Sequence, residues 1–420
     1  MVDAKLTPIT LEMFQPEISG RSLQTNRQLG RLVNEFSGRG RVRFHLGIKA
    51  GGAWSEEEAL AIDETVLGSI KRRYSLPDSS DPRDFYMQQQ KQAIGVIGHI
   101  GSVLPELGQE LELKDEISLL SDSPSDLFRL ASLPEDVIDQ TLAYEVHRHL
   151  LLSVISGLVN ARTLNGRLRT VLSDVHRQFN AQLFEGPEGA GTRLNLTSIH
   201  DDETNEVVGF PEHSQRIPPT AHVKRSSFLL RRISDIGLVY TSPRKKDDDN
   251  AILKSLAKAV NNGGKIDMDT VRDEIGMMFV LMSDSTDTEK LADRVLSVAA
   301  EGLRKIIHVE SDNKVDIDHG QSAEIRMSRR QVWFEDMQVP LELMFFDREN
   351  YLNSQLEVGR RDPQTGLFEG RAHELYDLRR VSSVLPLLYP EVVYGVDLQP
   401  IVVRRMKQKA EELRARYKAA

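Results

Sequence analysis

The chain has 420 residues, 40% hydrophobic and 6% aromatic, which suits a soluble globular protein of two or more domains. A formal net charge of −9 excludes a protein whose whole surface grips nucleic acid or an anionic membrane, while leaving local basic patches open. The absence of cysteine excludes disulfides, iron–sulfur clusters, thiolate zinc sites and cysteine nucleophiles.

Met1 to Gly30 lack the apolar core of a signal peptide, and no later apolar run is long enough to span a bilayer, so a cytoplasmic chain without membrane contact is expected. Arg41 to Ile48 alternates like a strand closed by Gly51-Gly52. Ser55 and Glu58 have the spacing of a capping box, which predicts a helix from there to about Tyr74. Leu76 to Pro82 ends it. From Arg83 to Phe184 apolar residues recur at helical spacing, with breaks near Ser121–Pro124 and Ser132–Pro134, so four or five helices are expected.

Glu185 to Gly191 holds three glycines and a proline and reads as a boundary. Thr192 to Ile199 then alternates like a strand, with Glu206 to Phe210 as its returning partner and Pro211 to Pro219 as a second linker. Beyond lie a predicted helix at Val223 to Ile233, a charged loop at Arg244 to Asp249, a helix from Asn250 to Val260 and a strand at Ile275. A helix at Thr288 to Arg304 follows, then strands at Ile306–Val309, Ala323–Met327, Gln331–Phe334 and Leu341–Phe346. Helices fill much of Arg348 to Leu388, and Ile401 to Tyr417 forms a basic terminal helix that offers a surface for RNA or an acidic protein.

Two acids stand in or beside apolar runs, Asp273 before Ile275 and Glu342 within Leu341–Phe346. A carboxylate there belongs at a sheet edge or pocket, because an unpaired buried charge costs several kcal/mol, and two on neighbouring strands can hold a divalent cation. Glu342 also reads as an outward residue on an edge strand, and Asp273 as a cap. His147 and His149, two apart on a helix, point to different faces and cannot share one metal, and His200-Asp201 falls in a predicted hairpin loop, so a His-Asp metal hydrolase is disfavoured. No dinucleotide-binding glycine fingerprint, Walker loop or nucleophile elbow is present.

The order of these elements over Val223 to Asp397 resembles the synthetase domain of RelA/SpoT-like proteins, a nucleotidyltransferase-fold pyrophosphokinase. The resemblance implies that Arg244, Lys245, Lys246, Lys254 and Ser255 hold ATP phosphates, and that Asp273 and Glu342 are catalytic and bind Mg2+. It further implies that Glu342 activates the acceptor hydroxyl and that His373 and Tyr376, three apart on a helix, stack a base. The chain departs from the family pattern at Met278, Met344 and Phe346, where the family has arginine, glutamine and arginine. The expectation is an α+β chain: a mostly helical domain over 1–185, a hairpin and linker over 186–220, a mixed-sheet nucleotidyltransferase-like domain over 221–397 and a basic helix over 398–420. Its expected function is magnesium-dependent pyrophosphoryl or nucleotidyl transfer from ATP to a nucleotide or RNA hydroxyl. The alternative is a non-catalytic nucleotide-binding or protein-interaction module on the same fold.

Overall fold

The computed structural model describes residues 9–10, 54–111, 119–131, 140–165, 168–184, 191–201, 207–209, 221–245, 248–262, 264–266, 275–282, 287–303, 305–314, 327–335, 340–356, 360–361, 368–369 and 373–419. The protein is α+β. In chain order the helices are α1 (Glu56–Arg73), α2 (Pro82–Val103), α3 (Glu106–Glu110), α4 (Pro124–Ala131), α5 (Gln140–Asn165), α6 (Leu168–Leu183), α7 (Asp248–Asn261), α8 (Thr288–Val298), α9 (Arg348–Leu356), α10 (His373–Leu388), α11 (Glu391–Tyr394) and α12 (Gln399–Ala419). The strands are β1 (Ile9–Thr10), β2 (Thr192–Asp201), β3 (Val207–Gly209), β4 (Ala221–Ile233), β5 (Gly237–Lys245), β6 (Lys265–Ile266), β7 (Ile275–Leu281), β8 (Ile306–Lys314), β9 (Met327–Phe334), β10 (Leu341–Asp347), β11 (Arg360–Arg361) and β12 (Phe368–Glu369). No helix of the described residues is long and apolar enough to cross a membrane.

The chain divides into two interleaved compact units, one of Met1–Arg167, Asp247–Val271 and Leu378–Val403, the other of Leu168–Lys246, Arg272–Asp377 and Arg404–Ala420. The sequence reading instead set boundaries in linear order at 185, 220 and 397.

The first unit is helical. Its first helix starts as a capping box: Glu58 N–H donates to Ser55 Oγ at 3.2 Å, and Ser55 N–H to Glu58 Oε2 at 2.8 Å. Asp81 caps α2 through the Arg83 N–H at 2.8 Å, with Pro82 at the first helical position, where its missing N–H costs nothing. Asp63, buried on α1, accepts from the Ser125 N–H at 2.7 Å and the Ser123 hydroxyl at 2.8 Å and so fixes the start of α4. Between α2 and α5 runs a buried polar seam. Gln90 Nε2 donates to Ser153 Oγ at 3.2 Å and its Oε1 contacts His149 Nε2, while Asn160 Nδ2 and the Ser156 hydroxyl both donate to Gln92 Oε1. Such groups stay buried at little cost only because they satisfy one another.

The second unit is an eight-stranded mixed sheet ordered β3-β2-β4-β5-β7-β10-β9-β8. Only the β7–β10 pair is parallel. Both strands are near-continuous apolar runs because both their faces are covered. On one face Phe279, Leu343 and Phe345 pack with Val175 and Phe179 of α6 and Leu291 and Val295 of α8. On the other, Val280, Met344 and Phe346 pack with Tyr351 and Leu352 of α9.

Two expectations are corrected here. Val223 to Ile233 is not a helix but most of β4, because residue-by-residue pairing with β2 overrides a helix-like spacing of apolar positions. Arg244 and Lys245 end strand β5 rather than opening a loop; β4 and β5 join through a turn in which Asp235 takes φ 61°, a conformation Asp tolerates. The strand foreseen at Arg41–Ile48 and the linker at Pro211–Pro219 lie outside the described residues.

Candidate functional site

The site forms on β10, which is an interior strand and not an edge. Register places Arg244 of β5, Gly276 of β7, Glu342 of β10 and Gln331 of β9 in one row across four neighbouring strands. Residues aligned in this way project to the same face of the sheet. Glu342 is only 4% exposed, and both its oxygens meet guanidiniums. Oε1 lies 3.2 Å from Arg329 Nη1 and Oε2 lies 3.6 Å from Arg244 Nη1.

Arg244 and Glu342 are two strands apart, a separation of about 9–10 Å between backbones. The arginine spans it by passing over β7 at Gly276, the one residue of the row with no side chain. The backbone is equally tight there, since a Cβ on Gly276 would stand 2.8 Å from the Glu342 carbonyl oxygen.

The next row contains Ser242, Met278, Met344 and Arg329. Met344 is 5% exposed and packs into the apolar floor with Phe346, Val280 and Tyr351. Its sulfur also takes Arg244 Nη1 at 3.4 Å. These contacts give Met344 and Phe346 a packing role on the face that carries Glu342. The cation at this level comes instead from Arg329 on the adjacent strand, a residue the sequence reading missed. Alternation along Met327–Phe334 puts Arg329 and Gln331 on the face of Glu342 once β9 and β10 are paired, and that pairing is the signal that could have found it.

Other predicted residues are distributed as follows. Asp273 lies outside the described residues, two positions before the start of β7, as does Lys246. Lys245 ends β5 opposite Ile275. Lys254 and Ser255 lie on α7 in the helical unit, and the buried Ser255 hydroxyl donates to the Ala251 carbonyl at 2.8 Å. His373 and Tyr376 have their backbones in α10. His200 and Asp201 are on strand β2 and not in a hairpin loop; His200 Nε2 lies 2.9 Å from Ser198 Oγ and its ring stacks on His222. Of the basic terminal helix, Lys409 is nearly buried and lies 3.4 Å from Glu412.

Among the described residues no group of three or more His, Asp or Glu side chains is arranged to hold a metal ion. Magnesium commonly takes one or two carboxylates and completes its shell with phosphate oxygens and water. Glu342 fits that demand through Oε2 alone. Its partner Arg244 has a side chain 47% exposed and is held at 3.6 Å, so it can turn away, whereas Arg329, 19% exposed and at 3.2 Å, keeps Oε1. No family model, curated protein or solved structure matches the chain.

Proposed function

We propose that the sheet unit binds ATP and transfers a pyrophosphoryl or nucleotidyl group to a hydroxyl of a nucleotide or RNA in the cytoplasm. The observation that carries this reading is the row Arg244–Gly276–Glu342. It gathers a cation and a buried acid from positions about a hundred residues apart onto strands β5 and β10, which flank β7. Asp273 stands three residues before Gly276 in the chain leading into the parallel neighbour of β10.

A triphosphate has to be neutralised and oriented, and most catalysis of phosphoryl-type transfer consists of those two tasks. Arg244 turns from Oε2 of Glu342 to the phosphates, while Arg329 holds the carboxylate in place through Oε1. The acceptor hydroxyl oxygen then attacks the β-phosphorus, the bond from that phosphorus to the α–β bridging oxygen breaks, and AMP leaves. In nucleotidyl transfer the attack falls on the α-phosphorus and pyrophosphate leaves. In either case the hydroxyl proton passes to the Glu342 carboxylate. Asp273 would hold magnesium, whose charge would offset that of the phosphates, and this leaves Oε2 of Glu342 to take the proton.

A second reading, a nucleotide-binding module without turnover, is favoured by the two arginines that occupy both oxygens of Glu342. Calorimetry of the purified chain with ATP, with and without magnesium, tests the shared premise. ATP is expected to bind, and Arg244→Ala to weaken binding about tenfold through loss of a charge-assisted contact. No binding by the unaltered protein would overturn both readings.

A further inference from the structure

Arg329, Gln331 and Trp333 occupy alternate positions of β9 and share the face of Glu342. Gln331 stands opposite Glu342 on one side and Glu310 of β8 on the other. It is 7% exposed, and among the described residues nothing hydrogen-bonds its amide. The other buried polar residues of this strand, Ser328 and Arg330, both donate to Glu289 of α8. An amide left nearly buried without a partner is costly. Its partner has to come from the open side of the face, next to the acid.

Two residues further along, Trp333 meets His308 of β8, with ring centroids 5.0 Å apart at 47°. The contact depends on an irregularity in β8. Ile306 pairs with Phe334 and His308 with Trp333, so Ile307 is an extra residue bulged out of the ladder, 58% exposed. Without it Ile307 would oppose Trp333; the bulge sets His308 there and keeps Glu310 opposite Gln331. Trp333 is half-buried and His308 exposed, so part of this ring surface reaches solvent.

A ring pair across two strands is by itself ordinary sheet packing. What distinguishes this one is its place. One face presents a ring plate, then an unpaired amide about 6.8 Å along the strand, then a buried acid one strand over. An aromatic plate stacks a nucleobase of any kind, an amide bonds a hydroxyl as donor or acceptor, and the step between them is on the scale of the offset between a base and its ribose. Arg244 lies on the opposite side of Glu342, on β5. ATP phosphates held there leave the β9–β8 half of the row to the acceptor. Glu310 adds a negative charge to that half, which suits a neutral sugar and base better than a phosphate.

We propose that Trp333 and Gln331 form a ribonucleoside subsite for the acceptor: the base stacks on Trp333, one hydroxyl of the ribose diol faces Glu342, and the Gln331 amide bonds the other. The proposal rests on the reading of the Arg244–Glu342 row as the transfer site and adds that the acceptor carries a free 2′,3′-diol.

The chain has two tryptophans, so Trp54→Phe leaves Trp333 as the sole one. The fluorescence of that full-length variant, with magnesium and saturating α,β-methylene ATP, is followed on addition of ADP, GDP, CDP or UDP. At least one of them is expected to quench it saturably, and pyrophosphate, which has no nucleoside, to leave it unchanged. The 2′- or the 3′-deoxy form of the best ligand, whichever lacks the hydroxyl held by Gln331, should bind about tenfold more weakly. Adding Gln331→Leu should abolish that difference, with thermal melting to show that the fold is kept. No quenching by any of the nucleotides overturns the proposal, and so does equal binding of both deoxy forms and the parent. Quenching that α,β-methylene ATP blocks would give the plate to the donor and overturns it too. A transfer assay with labelled ATP keeps the two readings apart. Quenching without product would leave the subsite and remove the transfer, whereas product formed by Trp333→Leu with an unchanged acceptor KM would remove the subsite and leave the transfer.

Discussion

Arg244 Nη1 lies 3.6 Å from Oε2 of Glu342 although strand β7 runs between them. The contact exists because β7 carries Gly276 at the crossing point. Gly276→Ala adds a methyl group 2.8 Å from the Glu342 carbonyl oxygen, where the backbones of a parallel pair cannot part without loss of hydrogen bonds. We expect a loss of about 1–3 kcal/mol in urea denaturation, the usual range for overpacking. Weaker ATP binding should accompany it, since the methyl lies in the path of Arg244.

The two arginines differ in their hold on Glu342, and single substitutions should separate them. Arg329 has a side chain 19% exposed at 3.2 Å, Arg244 one 47% exposed at 3.6 Å. Arg329→Ala leaves a buried carboxylate with only the looser partner and should cost about 2–4 kcal/mol. Arg244→Ala should cost less than about 1 kcal/mol, as for other solvent-screened pairs. Equal losses in denaturation would contradict the division of roles between the two residues.

Stability should depend on pH through the helical unit. Burial lowers the pKa of His147 to about 4, and burial together with the Arg148 charge lowers that of His149 to about 4, against 6.5 for a free imidazole. Between those values the unfolded chain binds protons that the folded chain refuses, so folding is favoured above pH 6.5 and weakens as pH falls toward 4. Each histidine contributes a slope of about 1.4 kcal/mol per pH unit within that window. His147→Phe keeps a ring in place and should remove about half of the slope; an unchanged slope in pH-dependent denaturation would contradict the assignment.

Arg148, between those histidines, is buried and places its guanidinium 4.3 Å from the Tyr389 ring centroid. It donates to the Tyr394 hydroxyl at 3.1 Å and to the Leu388 carbonyl at 3.4 Å, which holds the end of α10. Both bonds come from Nη1, and a lysine ammonium could replace them, but lysine cannot supply the planar stack on Tyr389. Arg148→Lys should therefore lower stability by about 1–3 kcal/mol.

What could be read in the sequence was what neighbouring residues decide among themselves. The Ser55–Glu58 cap, the strand at Ile275, the Leu341–Phe346 strand and the helix after Asp287 are local patterns, and each forms as read. The segment Val223–Ile233 was misread because its partner, Thr192–Asp201, lies some thirty residues upstream and decides its state. Arg329 escaped for a related reason: only the pairing of β9 with β10 brings it to Glu342. Likewise, only register shows that Gly276 lets Arg244 pass over β7.

The most direct measurement is incubation of the purified chain with magnesium and labelled ATP in the presence of GDP, GTP or RNA, with Glu342→Gln in parallel. The proposed transfer predicts a labelled product on one acceptor that falls by about a hundredfold or more in the variant, the scale of losing a positioned acid or base. ATP bound without any product would contradict the transferase and leave a binding module; product formed equally by Glu342→Gln would show that the acid on β10 is not part of the chemistry.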